Sequence, residues 1–241
     1  MANLAGAFEA AGYPTLCPSL RHHQPRPQAR DLSALGRTST RDYAVDIDKI
    51  VGGLSERPIL VGHSMGGLIA QMVAARREVR SLILLAPSAP WGVLPSHWNE
   101  VASAFGLYMV NGHYWEQALI PTYEIAADHT LRGLSEPERR GAFAQMVPES
   151  GRAVFEALHW WLDISRATEV PARSLNCPIF CVAGAEDEVS PPETVRRIAA
   201  RYRQHTTFRV YDKMGHWLIG EPGWRRIAAD ALDWLSSSEG G

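Results

Sequence analysis

The sequence predicts an α/β fold: a mostly parallel sheet flanked by helices, with a helical cap inserted into it. Three observations carry this expectation. Strand and helix patterns alternate at both ends of the chain, which implies strand–helix–strand units and a parallel sheet. Short apolar runs such as Ile59-Leu60-Val61 and Ser81 to Ala86 lack polar alternation, as strands buried on both faces do. Between residues 87 and 170 no convincing strand pattern occurs, whereas helical periodicity recurs.

In chain order, helical periodicity covers Leu4 to Ala11 and stops at Gly12. Tyr13 to Ser19 reads as a short strand, and Leu20 to Thr38, rich in Pro and Arg, as a loop. A helix is expected from Ser39, a good N-cap, with Asp42 in its first turn. Its apolar face would be Tyr43, Ile47, Ile50 and Leu54. Pro58 to Val61 is then a strand, Leu68 to Ala75 a helix and Ser81 to Ala86 a strand. Helical patterns follow around His97–Met109, Tyr114–Ile125, Glu136–Met146 and Ala153–Asp163. Alternation resumes with a strand at Pro178–Ala183, a helix at Pro192–Tyr202, a strand at Thr206–Tyr211 and a helix at Trp224–Leu235. Residues 1–86 and 171–241 would form the sheet domain and 87–170 the cap.

Length and composition bound the function. The chain has 241 residues, 46% hydrophobic and 21% charged, enough for a sizeable core. A formal net charge of −2 does not favour nucleic acid. The His residues form no tract and no His-Glu-x-x-His pair, so no metal site is expected. No apolar run approaches the roughly 18 residues of a membrane span. Met1 to Ala11 lacks a basic start and a long apolar middle, so it does not read as a signal peptide. Three Cys, at 17, 177 and 181, argue against a disulfide framework and for buried free thiols in a cytoplasmic protein.

The chemistry centres on Gly62-His63-Ser64-Met65-Gly66-Gly67, which follows an apolar strand and opens a helix. Gly-x-Ser-x-Gly is weak alone and strong in that context. There a sharp strand-to-helix turn exposes the serine oxygen above the sheet, at a helix N-terminus whose partial positive charge favours an oxyanion. Such a turn crowds its neighbours, and Gly62 and Gly66 bring no Cβ to clash. Gly67 lets the helix approach the strand.

A serine hydroxyl needs a base, and the base needs a carboxylate to fix its tautomer. His216, in Met214-Gly215-His216-Trp217, follows the last expected strand, where sites of parallel α/β sheets gather. His63 lies inside the turn and is expected to point elsewhere. Gly184-Ala185-Glu186-Asp187-Glu188 follows another strand and offers three carboxylates. Asp187 is the choice, since Asp is short and easily held by a turn, and Glu186 and Glu188 read as solvated loop charges.

These pieces resemble the α/β-hydrolase superfamily, in its esterase, lipase and C–C hydrolase group with a helical cap. The matching segments are Ala11-Gly12-Tyr13-Pro14, Gly62 to Gly67, Gly184-x-x-Asp187-x-x-x-Pro191 and Gly215-His216-Trp217. The resemblance covers most of the chain. It implies the order Ser64, Asp187, His216 as nucleophile, acid and base, with the Met65 amide as one oxyanion donor. One departure is visible. Family members usually carry two or three strands before the helix that begins this chain, the last ending in a His-Gly loop whose following amide is the second donor. Here the chain starts inside that helix. Three explanations are open: an N-terminally shortened sequence, a segment or chain that fills the gap, or a shift of the Tyr13–Ser19 strand to the side of the Ser64 strand.

Five of the eight Trp (91, 98, 115, 160 and 161) lie in or beside the cap, with Tyr108, Tyr114, Tyr123, Phe105, Phe143 and Phe155. They suggest an apolar acyl or alcohol pocket and a small-to-medium ester substrate. No metal or organic cofactor is required, and a homodimer is compatible. The alternatives are a C–C bond hydrolase, thioesterase or lyase with the same three residues, or a catalytically impaired binding protein that keeps the fold.

Overall fold

The computed structural model describes residues 1–23, 29–97, 113–202 and 206–238. The expected helix around His97–Met109 therefore lies almost wholly outside the described residues. Within them the elements are α1 (Ala2–Ala10), α2 (Ala29–Gly36), α3 (Thr40–Gly52), β1 (Ile59–His63), α4 (Met65–Ala74), β2 (Ser81–Leu85), β3 (Ala118–Leu119), α5 (Tyr123–Ile125), α6 (Glu136–Phe143), β4 (Glu149–Ser150), α7 (Gly151–Leu158), β5 (Ile179–Gly184), α8 (Pro192–Arg201), β6 (Thr206–Tyr211) and α9 (Trp224–Ser238).

β1, β2, β5 and β6 form one sheet in that order, and every pair is parallel. Successive side chains of a strand point to opposite faces, and the core divides accordingly. Leu82 and Leu84 of β2 join Ile179, Cys181 and Ala183 of β5 under α3, α4 and α8. Ile83 and Leu85 join Phe180 and Val182 under α1 and α9. Helices thus cover both faces, which is why these strands read as continuous apolar runs. Each fully buried Leu of β2 contributes about 1.5–3 kcal/mol to this arrangement.

Several expectations need correction. Tyr13–Ser19 is not a strand, and among the described residues β1 pairs only with β2. Pro14 and Pro18 both lack a backbone N–H, and a segment without them in its ladder cannot complete one. Leu20–Thr38 is not all loop. Past Pro25 and Pro27 the good helix formers of Ala29–Gly36 make α2, which buries Leu35 completely. In α3, Ser39 caps as expected. Its side chain accepts from Arg41 N, and Asp42 takes the Ser39 N–H at 2.9 Å in a capping box. The buried residues of α3 are Thr40, Tyr43, Ala44 and Val51, and Ile47 packs against the same core, whereas Leu54 lies beyond the helix end and is exposed.

Between β2 and β5 the pieces are shorter than their periodicity suggests. Tyr114–Glu116 is one 3-10 turn, Tyr123–Ile125 a turn of α-helix, and Ala118–Leu119 pairs antiparallel with Glu149–Ser150. Their described aromatic residues pack on one another. Trp91 and Trp160 meet edge to face at 5.6 Å, and Trp115 lies 5.3 Å from Phe155. Trp98, Phe105 and Tyr108 lie outside the described residues.

Candidate active site

The turn between β1 and α4 is as sharp as its glycines suggest. Ser64 has φ 52° and ψ −122°, a left-handed backbone that a side chain adopts at a cost of order 1–3 kcal/mol. The surroundings over-determine it. The Ser64 N–H donates to Leu85 O at 3.0 Å, and its carbonyl accepts from the N–H groups of Gly67, Leu68 and Ser88. A Cβ at Gly62 would stand 2.4 Å from Gly66 O, and one at Gly67 would stand 2.8 Å from Pro87 Cβ. Gly66, expected to relieve crowding, does not: a Cβ there meets nothing within 4 Å. The crowding falls on the residues that face the strand, and Gly66 faces outward. Among the described residues the Met65 N–H has no backbone acceptor, and it opens the first turn of α4.

His216 and Asp187 reach this turn from two loops that follow β6 and β5. Asp187 is 3% exposed and His216 3% exposed. Asp187 Oδ1 accepts from the N–H groups of Val189 and Ser190, both at 2.8 Å. Its Oδ2 lies 2.9 Å from His216 Nδ1, and His216 Nε2 lies 3.0 Å from Ser64 Oγ. A carboxylate only accepts, so Nδ1 carries the proton and Nε2 is left to accept from the serine hydroxyl. The structure therefore brings to His216 two side chains, those of Asp187 and Ser64, that lie 29 and 152 residues from it in sequence. Glu186 and Glu188 are exposed, and Glu188 pairs with Arg132.

The sequence pattern of the Alpha/beta hydrolase family matches residues 1–229. The chain belongs to the alpha/beta hydrolase family. No curated protein matches it significantly. Solved structures of similar fold include a monoacylglycerol lipase from Paleococcus ferrophilus, at 22% identity and TM-score 0.65, over 98% of this chain and 88% of that one. A thermophilic esterase from Thermogutta terrifontis aligns at 19% identity and TM-score 0.68, over 98% and 84%. A methylesterase from Arabidopsis aligns at 14% identity and TM-score 0.71, over 98% and 92%. Among the described residues no helix of this alpha/beta hydrolase is long and apolar enough to cross a membrane.

Two residues at the site escaped sequence reasoning. His63 does not point away. Its Nε2–H donates to the His216 carbonyl at 2.7 Å, and its ring lies 4.9 Å from the His216 ring. Glu221, 1% exposed, accepts from Gly215 N–H at 2.7 Å and from Trp217 N–H at 3.0 Å. It lies four residues beyond Trp217 in the turn that precedes α9, a place that by itself does not mark it. Burial pushes the Glu221 carboxyl up, the two amide hydrogen bonds pull it down, and neighbouring Asp187 adds to the upward push.

Burial first, and the His216 ring second, hold His63 down at about 3, against an ordinary value of 6.5. The folded value lies below the unfolded one. Its stabilising contribution is therefore complete above the unfolded value and is lost as pH falls toward 3. In that window one such group lowers the unfolding free energy by about 1.4 kcal/mol per pH unit. Denaturant titrations between about pH 6 and about pH 4 should show that the His63→Gln variant loses this part of the slope. An unchanged slope would contradict a buried neutral ring.

Proposed function

We propose that this chain is a serine hydrolase that cleaves small-to-medium carboxylic esters through an acyl-enzyme on Ser64. The observation that carries the proposal is the unbroken hydrogen-bond line from Ser64 Oγ through His216 to Asp187, at 3.0 and 2.9 Å. His216 Nε2 removes the hydroxyl proton as Oγ attacks the ester carbonyl. Asp187 holds the tautomer and stabilises the imidazolium that results. The tetrahedral oxyanion accepts from the Met65 N–H, aided by the N-terminal dipole of α4. The imidazolium then hands its proton to the leaving alcohol. Water attacks the acyl-enzyme by the same route, and Ser64 is released with a carboxylic acid as product.

Ester cleavage is the reaction named by several of the similar solved structures, which also include a meta-cleavage product hydrolase. The lipase, the esterase and the methylesterase of similar structure carry ester chemistry in their names. Residues 87–170 are assigned as a cap whose aromatic side chains line an apolar acyl or alcohol pocket. The cytoplasm is the assigned compartment, since all three thiols are free; Cys177 and Cys181 are buried as expected, whereas Cys17 is exposed.

The test is a turnover panel of p-nitrophenyl esters of graded acyl length against thioesters and β-diketones. Hydrolysis of the short and medium esters is expected. Turnover confined to thioesters or diketones would overturn the assignment. Within that assay Asp187→Asn should lower kcat by about 10⁴-fold, because the amide favours the wrong imidazole tautomer. A loss below tenfold would remove Asp187 from the mechanism.

A further inference from the structure

The loop that carries His216 runs from Asp212 to Gly223 without helix or strand, so nothing in regular secondary structure fixes it. Its backbone is nevertheless held at three consecutive residues. The Gly215 and Trp217 N–H groups both donate to Glu221, and the carbonyl between them, that of His216, accepts from His63 Nε2. We propose that Glu221 and His63 are positioning residues that clamp this backbone, so that the His216 ring spans Ser64 and Asp187. The inference deepens the serine-hydrolase assignment and rests on it.

Glu221 is unusual in what it lacks as well as in what it holds. Among the described residues no Lys or Arg pairs with it, and its nearest charged neighbours include another buried carboxylate, Asp187. A buried carboxylate without a cation is costly, and a residue chosen for packing alone would be apolar. Two acceptor oxygens in one plane do what no neutral side chain does here. They take two amides that point the same way from either side of residue 216. A Gln could accept only one of them, since its amide nitrogen is a donor. His63 closes the third side from the strand that carries the nucleophile itself, so the base and the serine are referenced to one rigid element.

The clamp acts through geometry, so its loss should appear in the chemical step. Glu221→Ala is expected to lower kcat on a p-nitrophenyl ester by about 10²-fold with KM changed by less than about twofold. Glu221→Gln should recover part of kcat, and His63→Gln, which keeps a donor, should exceed His63→Leu. The second readout needs no substrate: the far-downfield proton NMR signal of His216 Nδ1–H on Asp187 should broaden or vanish in Glu221→Ala. Leu235→Ala, in the core under α9, is the control for lost stability and should keep both kcat and the signal. Wild-type kcat and an intact signal in the Glu221 variants, or losses no larger than the control's, would overturn the clamp. Should Glu221→Ala not fold, Glu221→Gln and His63→Leu decide by the same two readouts. A wild-type protein with no ester turnover would sink the esterase assignment, and the proton signal would still decide the clamp.

Discussion

Replacing Ser64 by Ala is expected to lower ester turnover by roughly 10⁵-fold while the protein stays folded. The side chain makes no capping hydrogen bond to α4 and bonds to His216 Nε2, so folding loses about 1 kcal/mol at most. The left-handed backbone at this position costs Ala as much as it costs Ser. Glycine adopts that backbone freely, so Ser64→Gly should be equally inactive and melt higher than Ser64→Ala. The pair thus separates what the site does from what it costs the fold. Turnover rates and melting curves of both variants check this, and near-wild-type turnover in either would remove Ser64 as the nucleophile.

The second large effect is expected at Gly184, where no charge or hydrogen-bonding side chain is involved. It ends β5 and lies between the Asp187 loop and the His216 loop. A Cβ there would stand 2.3 Å from Gly215 O and 2.4 Å from Met214 O, and both are backbone atoms. Neither can swing aside as a side-chain tip would, so the whole 214–216 backbone must shift. Gly184→Ala is expected to lower stability by about 3 kcal/mol, the scale of an overpacked core, and kcat by about 10²-fold as His216 moves off Ser64. Gly66→Ala is the contrast, since its Cβ meets nothing within 4 Å and stability should change little. Denaturant titration of both variants gives the comparison. A Gly184→Ala protein as stable as wild type would mean that the two loops are less tightly packed than described.

The parts of this molecule that follow a strict rule were legible in its residues. β2 and β5 announce themselves because strands covered on both faces need apolar side chains at every position, as Leu82 to Leu85 and Ile179 to Ala183 have. The Ser64 turn was legible because close approach leaves room for nothing larger at Gly62. Asp187 followed from its place after a strand, its short reach and the chain order that the resemblance implies. What stayed hidden depends on partners distant in sequence. Tyr13–Ser19 has a passable strand composition, but a strand exists only with a neighbour to bond to, and among the described residues this segment, with Pro14 and Pro18 lacking an N–H, joins no sheet. Helix α2 was masked by Pro25 and Pro27, whose influence ends where Ala29 begins. His63 and Glu221 were invisible because their function is to hold backbone atoms, and a backbone amide leaves no mark on composition. Nothing in the spacing of Glu221 from Trp217 separates a clamp from a surface carboxylate until burial and the two amide contacts are seen.

The central claim is that a serine hydroxyl becomes a nucleophile because one imidazole takes its proton. The direct measurement is covalent labelling by a fluorophosphonate, with the modified residue identified by peptide mass spectrometry in the wild type and in His216→Ala. The expected result is a phosphonylated Ser64 in the wild type and little or none in the variant. Labelling of Ser64 at equal rates in both, or labelling of another residue, would contradict it.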